Sequence, residues 1–132
     1  KYYKYRFIKI LNNENFLILI IFRIVKYKKN KVMRVIDSYG NWSKVYGLGY
    51  LLKNILIKEK IEYLDFMYYG SNIKHIKNND FIKKAGNTII PNYFEPFNGI
   101  KNQPLNYCYK SNENYELHKG DADSDRPNQL KN

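Results

Sequence analysis

Between Lys31 and Phe97 the chain runs strand, glycine-bearing turn, helix, strand, helix, strand, and few folds accept that order. Val32 to Asp37 is a short β-rich run that breaks at Ser38-Tyr39-Gly40-Asn41. The stretch from Ser43 to Lys58 sets Val45, Leu48, Leu51, Leu52, Ile55 and Leu56 at helical spacing, one apolar stripe for one sheet face. A second strand follows from Glu62 to Tyr68. Strand, crossover helix and strand of this length predict a right-handed βαβ unit with parallel strands. Ligands of such sheets sit beyond the carboxyl ends of the strands, so the chain is expected to carry at least half of a small-molecule site.

The flanks complete an α+β domain. Tyr2 to Ile10 reads as a strand, Leu11 to Asn15 as a polar turn, and Phe16 to Tyr27 as a long strand. Lys28 to Lys31 forms a tight turn into the antiparallel return. After Gly70-Ser71-Asn72 a weaker helix is expected through Lys84, closed by Gly86 as a left-handed cap. Asn87 to Phe97 reads as a strand that Pro91 and Pro96 confine to an edge or bulge, and Tyr107 to Lys110 as a last strand. Residues 1–110 are thus one domain, and 111–132 a loose polar tail.

Composition narrows the function classes. With 132 residues there is room for one core, and 44% hydrophobic content excludes a disordered tail. The net charge of +11 invites a nucleic-acid partner, but Lys is spread along the chain beside Asn, Ile and Tyr, and no basic stripe forms. The apolar run Phe16 to Phe22 stops at Arg23, far short of the ~20 residues a membrane-spanning helix needs. It reads as a buried strand. One cysteine, Cys108, excludes an internal disulfide and is expected as a buried bystander in a reducing compartment, the cytoplasm. His75 reads as an exposed surface residue, and His75, His118 and Cys108 show no metal-ligand spacing. Asp121-Ala122-Asp123-Ser124-Asp125 opens like a calcium loop, but Arg126 and Asn132 stand where Gly and a bidentate Glu are required.

Lys44-Val45-Tyr46-Gly47-Leu48-Gly49 opens the helix with two glycines, which let backbone N–H groups approach an anion at the positive end of the helix dipole. Set between strand and helix, these residues resemble the pyrophosphate signature of GNAT-type N-acyltransferases, with Lys44 in the place of the usual Arg or Gln. The element order resembles the carboxyl-terminal two-thirds of that domain. Ile90 to Phe97 and Lys119 to Asn128 resemble GNAT-like proteins of bacterial surface-polysaccharide gene clusters, which carry a further amino-terminal portion. Beginning at Lys1, the chain therefore reads as a piece of a longer protein lacking the first strand and two helices of the family.

The resemblance implies a mixed sheet around a central βαβ unit and an acyl-CoA cofactor, acetyl-CoA first among candidates. Residues 44–49 would hold its pyrophosphate, and an amine or amino sugar would be the acceptor. Asp37 and Asp65, toward the carboxyl ends of neighbouring strands, are candidates to take the acceptor's proton. Either could instead cap a loop or pair with Arg34 or a lysine. The family's acidic tyrosine falls at Ile82, and the Phe that follows its glycine falls at Asn87. Tyr68 or Tyr69 is the candidate replacement for that phenol, with packing as the plainer role. Glu95, held between Phe94 and Pro96, could aim a carboxylate at an acceptor or accept a backbone bond. Two other readings stay open: a non-catalytic binding module on the same frame, and a basic nucleic-acid-binding protein.

Overall fold

Two tight hairpins lay down the antiparallel half of the sheet. β1 (Tyr5–Asn12) turns through Asn13 and Glu14, both at positive φ, into β2 (Asn15–Tyr27). A two-residue turn at Lys28-Lys29, with Lys28 at φ 52°, leads into β3 (Asn30–Gly40). The computed structural model of the protein describes residues 4–90, 108, 110 and 114–121. α1 (Leu48–Glu59) then crosses to β4 (Tyr63–Phe66), which pairs parallel to β3 with Val32 opposite Tyr63 and Arg34 opposite Asp65. The βαβ unit expected from the spacing is present in a mixed four-stranded sheet, ordered β1-β2-β3-β4.

Burial explains why this register holds. Ile18, Ile20 and Phe22 of β2 and Met33 and Val35 of β3 meet Leu48 and Leu52 of α1 in one core with Trp42, Val45, Ile61 and Ile76. A one-residue slip would turn every one of these strand side chains away from the helix. The opposite face of β1 and of the start of β2 leaves Tyr5, Phe7, Leu11 and Phe16 exposed, with Phe16 stacked on Tyr39 at 6.1 Å. Among the described residues no helix is long and apolar enough to cross a membrane.

A bulge in the β2–β3 ladder sets the position of the polar residues. Ile21 pairs with Asp37 but Phe22 with Val35, so Ile36 is the extra residue. Strict alternation would put Asp37 on the core face with Val35. The bulge gives that face to Ser38 instead, opposite Ile20.

Several sequence expectations need correction. β3 runs on through Ser38-Tyr39-Gly40, read above as a turn, because β2 continues to pair with it as far as Ile18. The crossover helix starts at Leu48, not Ser43. Asn41 accepts from the Ser43 N–H and closes a 3₁₀ turn over Trp42–Lys44, Val45 is extended, and Gly47 takes φ 72°. The second helix, α2 (Ile73–Lys77), is much shorter than expected and is not closed by Gly86. Asn78-Asn79-Asp80 ends it in turns, with Asp80 at φ 65°. No strand forms at 87–90, and 91–97 lie outside the described residues, Glu95 among them. Cys108 is exposed and not in a strand; Tyr107 and Tyr109 lie outside the described residues. His75 is half-buried instead of exposed.

The largest departure concerns the tail. Residues 114–121, expected to be loose, are docked on the body: β6 (Leu117–His118) pairs antiparallel with β5 (Tyr68–Tyr69), and both its residues are buried.

Candidate functional site

β3 and β4 pair over four residues and then part, β3 continuing to Gly40 while β4 ends at Phe66. Asp37 and Tyr68 lie just past the last paired residues, Val35 and Phe66, whereas Asp65 lies within the paired stretch and the loop 44–49 leads into α1.

The loop arrives with its conformation set by what lies behind it. Val45 is buried in the core, whereas Lys44, Tyr46 and Gly47 are exposed. Gly47 is the N-cap of α1 in the left-handed region, and a Cβ there would meet nothing within 4 Å. Gly47→Ala is therefore expected to cost about 1–2 kcal/mol from backbone conformation alone, read from a urea unfolding midpoint. The first helical N–H, that of Leu48, donates to Asn79 Oδ1 at 3.1 Å. Asn79 is 1% exposed and donates from Nδ2 to the carbonyls of Val45 (2.9 Å) and His75 (3.0 Å), so its amide ties α1, the loop and α2 together. A Cβ at Gly49 would run into the carboxylate of Asp80 and the Asn79 carbonyl. The glycine here admits the chain's own residues.

These surroundings do not fit the pyrophosphate of an acyl-CoA. One of the N–H groups that would receive it is bonded to Asn79, and a carboxylate stands at the helix start, where it would repel a second anion.

The two aspartates are held apart. Asp65 sits opposite Arg34 and accepts its guanidinium through both oxygens, Nε at 3.0 and 3.2 Å and Nη2 at 2.9 Å, the side chain of Arg34 being 5% and that of Asp65 15% exposed. Asp37 lies three residues further along β3, about 10 Å at ~3.3 Å per residue. Its Oδ1 accepts from the Ser38 N–H at 2.7 Å and lies 3.3 Å from His118 Nδ1.

Tyr68 is committed as a donor. Its hydroxyl gives its proton to Glu116 Oε1 at 2.7 Å and accepts from the Asn72 N–H at 3.0 Å, while Asn72 Nδ2 also donates to Glu116. Burial first, then the Glu116 bond, pushes the phenol up to about 12. The folded state thus holds this proton where an unfolded chain, at about 10, has released it. Stability from this group is whole below pH 10 and is lost as pH rises toward 12. Urea midpoints should fall across that window, and less steeply in Tyr68→Phe.

The most connected side chain is one that no local pattern marks. His118 is 5% exposed, with its ring stacked on Phe66 (5.9 Å) and edge-on to Tyr68 (5.2 Å). Its Nε2 lies 2.9 Å from Ser38 Oγ, itself 6% exposed, and Trp42 Nε1 donates to that oxygen at 3.3 Å. Asp121 Oδ2 accepts the His118 backbone N–H at 2.7 Å and stands 3.8 Å from Nδ1. Ser38 was hidden by the bulge and His118 by 80 residues of separation.

Comparison with family models, curated proteins and solved structures returns no match.

Proposed function

We propose that the chain is a GNAT-like binding module: it keeps the mixed sheet and crossover of an acyl-CoA N-acyltransferase but does not carry out acyl-CoA-dependent transfer. The observation that carries this reading is the start of α1, where Asn79 and Asp80 take the ground a pyrophosphate would need. Two proposed proton carriers are also engaged internally, Asp65 with Arg34 and Tyr68 with Glu116. Amines and amino sugars, acceptors in the family this frame resembles, are the first ligands to try. The test pairs calorimetric titration of acetyl-CoA with an acetyl-transfer assay on simple amines and amino sugars. Neither heat nor product is expected, and turnover with any of these acceptors would sink the proposal.

One observation favours the transferase reading instead. The side chain of Asp37, just past the part of β3 that pairs with β4, is 46% exposed, so an amine could reach it even though its Oδ1 accepts from the Ser38 N–H. If acetyl transfer is found, Asp37→Asn should remove most of it and leave the fold intact.

A further inference from the structure

Ser38, His118 and Asp37 form an ordered chain of hydrogen-bond partners. The indole N–H of Trp42 occupies a lone pair of Ser38 Oγ, which leaves the hydroxyl proton to point at His118 Nε2, 2.9 Å away. A neutral His118 accepting there carries its own proton on Nδ1, facing Asp37 Oδ1 at 3.3 Å. Nucleophile, base and carboxylate are thus arranged as in serine acyl transfer, where such a constellation is identified by geometry and not by order in the chain. The array sits at the carboxyl ends of two parallel strands, where α/β sheets place their chemistry.

We propose that Ser38 is an activated nucleophile toward small activated carboxylic esters, with His118 as its base and Asp37 as the residue that positions His118. Ser38 Oγ forms the bond to the ester carbonyl carbon as its proton passes to His118 Nε2. The carbonyl electron pair moves onto oxygen as the tetrahedral centre forms. Collapse breaks the bond to the leaving alkoxide, which takes the proton back from His118 and leaves an ester on Ser38. Water then repeats the sequence, releasing the acid and restoring the hydroxyl. The ring of His118 faces Asp37, Asp121 and Tyr68 as its titratable neighbours, so the imidazolium formed in each step stands beside two carboxylates. This centre is separate from the start of α1, and the proposal does not rest on the binding-module reading.

The test treats the intact protein with a fluorophosphonate, which Ser38 would attack at phosphorus with loss of fluoride. A single adduct mapping to Ser38 is expected by intact mass and peptide mapping. Its rate should rise with pH along one ionisation and vanish in urea. Ser38→Ala should abolish the adduct, and Asp37→Asn, at a half-exposed site, should slow it on the order of tenfold or more with altered pH dependence. Hydrolysis of p-nitrophenyl acetate should follow the same pattern. No adduct on the folded protein, an adduct elsewhere, or undiminished labelling in urea would each overturn the proposal, and mapping on the unsubstituted protein decides it even if a variant fails to fold.

Discussion

Asp65→Ala should lower stability by about 3–5 kcal/mol, the largest effect expected of any substitution around the opening between β3 and β4. The mechanism is the loss of the bidentate carboxylate from a guanidinium that is almost fully buried, Arg34 being 4% exposed. The Coulomb gain of the pair is offset by desolvation, so removing one partner costs more than the pair contributes. Replacing both, as Arg34→Met with Asp65→Leu, should therefore recover most of the loss. Urea unfolding of the two single variants and the double variant measures this directly. A single-variant loss below 1 kcal/mol would show that Asp65 is not held structurally and would return it to the candidates for proton transfer.

Asn79→Ala is the second large effect, at about 2–4 kcal/mol. Its side chain satisfies the Leu48 N–H and the carbonyls of Val45 and His75, and alanine leaves those groups buried with one bond fewer each. Asn79→Asp is the sharper variant, since it keeps the acceptor for Leu48 and loses both donors. If the start of α1 binds no anion because Asn79 and Asp80 occupy it, neither change should create affinity for CoA without first loosening α2. Urea midpoints together with calorimetry on Asn79→Ala test both parts. Tight CoA binding in that variant at full stability would show that these residues had merely displaced a cofactor.

How much of this was legible in the sequence depended on whether a feature is local. The hairpins, the parallel pair and the crossover were readable because apolar periodicity records which face is buried. Arg34 was legible only as one possible partner, beside a lysine, for either Asp37 or Asp65; the parallel register of the folded sheet is what gives it Asp65. The bulge at Ile36 could not be read, because nothing in Val35-Ile36-Asp37 separates a regular strand from one with an extra residue. That one residue decided whether Asp37 or Ser38 would look into the core. The clamp by Asn79 was equally hidden: an asparagine in Asn78-Asn79-Asp80 announces a turn, not which distant N–H it will reach. A lone histidine in a polar stretch, His118 carries no local pattern, and its partners come only from tertiary folding.

The span of the Ser38–His118 contact also bears on the order in which the molecule assembles. Closing a loop of 80 residues costs roughly 1 kcal/mol more in chain entropy than closing the 31 residues between Arg34 and Asp65. The β1–β2–β3 meander closes only short turns, so it can form first and offer a template on which α1 and β4 settle. The segment carrying His118 then locks last, over a sheet already built. In the reverse direction it is the first part to let go, and the amides of Leu117 and His118 would exchange with solvent while the strands beneath them stay closed.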